Sequence, residues 1–187
     1  MTRQTTKEAL AKTFVELLEK RNIDKVTVKD IVAACGVNRQ TFYYHFRDIY
    51  DLMEWALTAN IEKYTGQHLS AGMGWQEQVK GLFHFFYLHR MVILHGYDAT
   101  NRMQYERVFV KWVSQMVRGR VDAYPQAADV PEEKKEFIST VYARGCMGFF
   151  LEWVEEGMPD ERHVRLDDYF TMIDGNLGHA LDKFREP

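Results

Sequence analysis

Residues 27–47 read TVKDIVAACGVNRQTFYYHFR, and their spacing predicts two short helices joined by a tight turn. Thr27 is placed to cap the first, its hydroxyl accepting a backbone N–H from one turn in. Ile31 and Ala34 fall on one face of that helix with Val28 beside them. Gly36 ends it, because glycine takes a left-handed conformation at little cost. Val37 plugs the gap between the helices, and Asn38 caps the second. Phe42 and Phe46 share the inward face of the second helix with Val37. Arg39 and Tyr43 are four apart, as are Gln40 and Tyr44, so both pairs lie outside the buried stripe. A recognition helix lies in the major groove with its first turns near the base edges, where Arg suits guanine and Gln suits adenine. The shape and chemistry of this stretch are those of a reader of duplex DNA.

Thr27, Gly36, Val37, Thr41, Phe42, Tyr43, His45 and Phe46 stand where the TetR family of bacterial transcription regulators carries its pattern. That pattern is a threonine opening the first helix of the motif, a glycine-valine turn, a threonine with a bulky apolar residue, then Tyr-x-His-Phe. Residues 5–60 resemble the DNA-binding domain of that family. More narrowly, RQTFYYHFRDIYDLMEW is similar to the branch containing the regulator of dihydroxyacetone kinase operons. The resemblance implies phosphate contacts for Thr27, Tyr43 and His45, and positions near the bases for Arg39, Gln40 and Thr41. Tyr44 faces outward beside them. The family usually has a lysine where this chain has Ile49. A phosphate contact is then lost, or Arg47, two residues earlier, replaces it; affinity and salt dependence carry the difference. The family's first helix packs behind the motif, a role that Thr6 to Arg21 fits with an apolar stripe of Leu10, Phe14, Leu17 and Leu18.

Charge distribution agrees. Residues 1–50 hold 9 Lys+Arg against 6 Asp+Glu, and residues 51–187 hold 15 against 21. A mildly basic head on an acidic body suits a protein that touches DNA with one end. The domain expectation is therefore a helix-turn-helix head over 1–50 and a helical effector-binding and dimerisation body over 51–187. Two distant cysteines, Cys35 and Cys146, make neither a disulfide framework nor a zinc site. They read as reduced thiols of a cytoplasmic protein. The first residues carry no apolar signal-peptide core, and no run approaches the roughly 18 apolar residues that span a membrane.

Beyond Asp48, which is placed to cap a fourth helix, the chain reads as helix throughout. The fourth helix carries Leu52, Trp55 and Ala56 to about His68, and Ser70 to Gly74 is a loop. A fifth helix starts near Trp75, a short sixth covers Arg90 to Tyr97, and a long seventh is capped by Thr100 or Asn101. Tyr124 to Val130 is a loop, and Pro131 fits the first turn of an eighth helix that Gly157 and Pro159 stop. A ninth runs from Leu166 to Phe184. The fold class is all-α, with roughly nine helices and no strand run.

In TetR-type proteins the last two helices pair with their copies. The resemblance therefore implies a homodimer through Phe149, Phe150, Tyr169, Ile173, Leu177 and Ala180, reading a palindromic operator. It also implies a small-molecule pocket in the body, for which Phe86, Tyr87, His95, Tyr105, Phe109, Trp112, Phe149 and Trp153 are the candidate lining. An aromatic stripe at helical spacing is usually the mark of plain core. The expected mechanism is repression released by such an effector. The alternative is activation with a protein coactivator, which calls for an exposed apolar patch and a filled core. A helical enzyme is the distant alternative. The histidines form no HExxH pair, and no GxSxG elbow, P-loop or dinucleotide fingerprint is present, so no catalytic residue, metal or cofactor is expected.

Overall fold

The computed structural model describes residues 3–70, 72–97, 102–173 and 175–185; the side chains of residues 3, 4 and 163 fall outside that description. Its described residues form ten α-helices and no strand, which makes the fold all-α. They divide into two compact units, Met1–Tyr64 with Leu88–Val108, and Thr65–Tyr87 with Phe109–Pro187. The head drawn at residues 1–50 lies inside the first unit.

In the first unit, α1 (Arg3–Leu18) buries Leu10, Phe14 and Leu18, with Leu17 only half-buried. Packed with it are α2 (Val28–Cys35), α3 (Arg39–His45) and the first part of α4 (Ile49–His68). Ile31, Phe42, Phe46, Leu52 and Ala56 supply their share of the core. The inward stripe of α2 is Ile31 and Val32; Ala34 is exposed, against the expected pairing with Ile31. Eight residues make barely two turns, so a small phase error moves the whole stripe, and the larger apolar surface of Val32 takes the buried place. The short α6 (Arg90–Gly96) lies against α1. There the His95 Nδ1–H donates to the carbonyl of Leu18 at 2.6 Å, satisfying one of the acceptors that a helix end leaves open.

The second unit contains most of α5 (Trp75–Leu88), α7 (Arg102–Asp122) from Phe109 onward, and α8 (Glu132–Glu155). Thr100 and Asn101, the expected caps of α7, lie outside the described residues. Pro131 sits at the N-cap of α8, one position before its first turn, and a 3-10 turn, Pro125–Asp129, replaces the expected loop. The core is aromatic. Phe83 and Phe86 on α5, Phe109 on α7 and Phe150 and Trp153 on α8 meet ring to ring at 4.8–6.2 Å between centroids. Trp153 donates from Nε1 to the Pro159 carbonyl at 2.7 Å, so the one polar group of that ring is satisfied. Cys146 is buried in the same unit, and burial pushes its thiol up to about 12.

The expected ninth helix is two: α9 (Leu166–Ile173) and α10 (Asn176–Phe184). Gly175 has φ 75°, ψ −18°, a left-handed setting that cannot continue a right-handed helix. The glycine therefore breaks the element instead of serving close packing within it. Gly145 on α8 does serve close approach, but within the chain. A Cβ there would run into the ring of Tyr169, whose hydroxyl donates to the Tyr142 carbonyl at 3.2 Å.

Candidate nucleic-acid interface

Side-chain caps begin both α2 and α3, and their buried faces hold them in place. Two short helices in water are marginal alone, since nucleation is costly and each end leaves open donors. Thr27 and Asp30 form a reciprocal capping box. The Thr27 backbone N–H donates to Asp30 Oδ2 at 2.9 Å, and the Asp30 N–H donates to Thr27 Oγ1 at 3.2 Å. The Thr27 hydroxyl also donates to Asp30 Oδ2 at 2.7 Å. These donations from Thr27, with Arg21 nearby, hold the Asp30 carboxyl below its ordinary value. Gly36 then turns the chain at φ 71°, ψ 28°, and the Val37 N–H reaches back to the Val32 carbonyl at 3.0 Å.

Asn38 starts α3. Its Oδ1 accepts from the backbone N–H of Thr41 at 2.8 Å and from the Thr41 hydroxyl at 3.0 Å. Phe42 and Phe46 are buried beneath the helix with centroids 5.9 Å apart. With the inward face anchored by those two rings, the remaining side chains have only one direction left. Arg39 and Gln40, the first two residues of α3, are exposed and make no hydrogen bond or ion pair among the described residues. Tyr43 and Tyr44 are 58% and 63% exposed, large values for aromatic rings. Tyr43 stands edge-on against Phe42, and Tyr44 edge-on against the half-buried His45. Arg47 follows with its side chain in solvent, 3.9 Å from the Asp51 carboxylate.

The structure thus gathers Thr27, Arg39, Gln40, Thr41, Tyr43, Tyr44, His45 and Arg47 onto α2, α3 and the turn that follows. Thr27 and Thr41 have their hydroxyl protons engaged, by Asp30 and by Asn38. The candidate pocket residues are scattered. His95 and Tyr105 belong to the first unit, where His95 ties down α1 and Tyr105 is buried. Phe86 and Phe109 stack on each other, and Trp153 stacks with Phe83 at 5.7 Å and with half-buried Tyr87 at 6.3 Å. Trp112 is half-buried, and its Nε1 is enclosed without a hydrogen-bond partner among the described residues. An open cleft of about 180 Å³ lies at Phe149 and Trp153, bounded by Glu152, Glu156, Val164 and Arg165.

The candidate pairing residues also divide. Phe150 is 1% exposed within the aromatic core, and Leu177 is buried, so neither is presented outward; both were expected at a chain–chain face. Phe149 and Tyr169 are half-buried against each other at 5.5 Å, and Ile173 and Ala180 are half-buried. The large apolar groups that do face outward on α8 and α9 are Phe137 (57%), Val141 (50%) and Met172 (70%). Sequence reasoning missed all three. The signal was available for two: Phe137, Val141, Arg144 and Gly148 repeat at helical spacing along one side of α8.

A three-helix head whose capped third helix presents Arg39 and Gln40 outward has the form of a helix-turn-helix DNA-binding domain. A model of bacterial regulatory proteins of the tetR family matches residues 6–55, and a model of a transcriptional regulator C-terminal region matches residues 74–175. The chain belongs to the TetR family and is a DNA-binding transcriptional regulator. It is 25% identical over 105 residues to the HTH-type dhaKLM operon transcriptional activator DhaS of Lactococcus lactis subsp. lactis (strain IL1403). That match covers 56% of this chain and 49% of the relative, so the chain spans about half of that relative's length. A solved structure of the dihydroxyacetone kinase operon activator DhaS superposes with a TM-score of 0.60 at 18% identity, covering 97% of this chain and 98% of the other. A tetR-family transcriptional regulator from Streptomyces coelicolor does so at 0.55 with 14% identity, covering 100% and 92%. Among the described residues no helix is long and apolar enough to cross a membrane, and no group of three His, Cys, Asp or Glu side chains is placed to hold a metal ion.

Proposed function

We propose that the chain acts in the cytoplasm as a homodimer that reads a two-fold-symmetric operator through α3. The observation that carries the reading is the pair Arg39 and Gln40, exposed and unpaired at the head of a helix whose other face is pinned by Phe42 and Phe46. Arg39 and Gln40 then read base edges. Thr27, Tyr43, Tyr44, His45 and Arg47 hold phosphates, and Thr41 sets the register of the helix against Asn38. Two copies pair through the exposed stripe of α8 and the outer side of α9 and α10, centred on Phe137, Val141 and Met172 with Ile173 and Ala180 beside them. The two-fold axis of that pairing is what makes the operator palindromic. In this mode the bound dimer represses, and an apolar effector stabilises a body conformation whose heads no longer fit the half-site spacing. An acceptor atom on that effector would engage the enclosed Trp112 Nε1–H. A buried donor without a partner costs about 1–3 kcal/mol, which a ligand acceptor would recover.

A second reading has its own support. Phe86, Phe109 and Trp153 are covered by one another or by Phe83 and Phe150, which leaves little surface for a ligand, and the relative from Lactococcus lactis is named a transcriptional activator. Activation together with a protein partner fits a filled core. One experiment addresses both readings. The purified protein is titrated onto the DNA upstream of its own gene and onto a random duplex across salt concentrations, followed by in vitro transcription from the bound promoter. Selective, salt-sensitive binding with reduced transcript supports repression, and the same binding with increased transcript supports activation. Equal affinity for both duplexes rejects operator reading by this head at that DNA.

A further inference from the structure

We infer that Lys7 is a backbone-phosphate ligand of the DNA head, an inference that rests on the operator-binding reading above. The lysine stands in the first turns of α1, outside the motif that carries the sequence signature. Its ammonium lies 4.7 Å from the ring centroid of Trp55 on α4 and 5.2 Å from that of Phe46, the residue that ends α3. Those two rings are themselves 6.0 Å apart and nearly edge-to-face, so they form one aromatic corner at the α3–α4 junction. Lys7 makes no ion pair and no hydrogen bond among the described residues. It is held by ring quadrupoles alone, an attraction that orders the side chain without neutralising it.

That arrangement is unlike the other fixed cations of the head. Lys12 faces Glu16, Arg21 faces Asp30, and Arg47 lies near Asp51. Each of those carries its own counter-charge, which a phosphate must displace or share. Lys7 carries none. Its three N–H donors are unspent, and part of its rotamer entropy is already given up to Phe46 and Trp55, which lowers the cost of fixing it on a ligand. The neighbours locate it beside the proposed contact surface. His45 lies 6.3 Å from Phe46 ring to ring, and Arg47 is the next residue in the chain. A phosphate oxygen is the ligand this chemistry suits: a compact ammonium is a point charge that binds phosphate without regard to base sequence.

The test is a salt titration of binding with the full-length chain, using the upstream DNA and a random duplex, for the wild type, Lys7→Gln and Lys7→Arg. Each phosphate contact contributes about −0.9 to the slope of log K against log salt. Lys7→Gln is expected to flatten the slope by about 0.9 for each chain bound and to weaken both duplexes by the same factor, with Lys7→Arg restoring the slope. A wild-type slope in Lys7→Gln overturns the inference, including the case where its melting temperature falls, because the lysine is then a packing residue only. A wild type that binds neither duplex at any salt overturns the operator-binding reading as well, and so separates the two failures.

Discussion

Asn38 Oδ1 holds two donors of Thr41 at once, the backbone N–H at 2.8 Å and the hydroxyl at 3.0 Å. One side-chain oxygen thus starts the recognition helix and fixes the rotamer of a residue one turn into it. Replacing Asn38 by Ala should cost about 1 kcal/mol of stability, the usual value of an N-cap, while Asn38→Asp should keep the cap. Urea unfolding of the three proteins reads this directly, and a loss in Asn38→Asp equal to that in Asn38→Ala counts against the cap as the cause.

Arg39 and Tyr43 share a side of α3 but should fail differently. Arg39→Ala is expected to relax preference at one base pair, with about 1–3 kcal/mol of discrimination lost there. Tyr43→Phe, which removes only a hydroxyl, should weaken binding evenly across sequences. Affinity measured against a panel of single-base-pair operator variants distinguishes the two patterns. An even loss for Arg39→Ala would take base reading away from that residue.

Phe137 and Phe150 lie thirteen positions apart on α8 and face opposite fates. Phe137→Glu should shift the protein to monomers in sedimentation while leaving its helical content intact. Phe150→Ala should instead lower stability by about 3–5 kcal/mol through the cavity left in the aromatic core. Dimers that persist in Phe137→Glu would move the pairing face away from this stripe.

The Asp30 carboxyl, lowered by the donations of Thr27, should add to the acid sensitivity of the head. A carboxylate whose folded pKa lies below its unfolded value of about 3.9 stabilises the fold above that pH, and the contribution disappears as pH falls through the folded value. The acid limb of the stability curve should therefore flatten in Asp30→Asn, which keeps an oxygen to accept from Thr27 but does not titrate. An unchanged acid limb would mean that other carboxylates govern it.

Much of the head was legible because its determinants are local. Thr27, Gly36 and Asn38 act within three or four residues of themselves, and a linear reading reaches that far. The body was less so. Phe137 and Phe150 are the same residue type on one helix, and only the packing of α5 and α7 decides which of them is core. Gly175 sits in an apolar pattern that continues on both sides, so periodicity alone runs the helix through it; the break appears only when its backbone is seen in the left-handed region. Lys7 was passed over for a similar reason. The rings that hold it lie some forty residues along the chain, and no motif spacing joins them.

The bond from His95 to the Leu18 carbonyl bears on how such regulators can be recombined. A chimaera cut after residue 50 would carry α1 away from the imidazole that closes its last turn, and would leave Leu18 with an open acceptor. The compact unit that holds α1 is instead Met1–Tyr64 with Leu88–Val108, two pieces of sequence that a single crossover does not move. Swapping operator preference onto another body is better attempted by grafting the outward positions of α3 alone, which leaves that closure undisturbed.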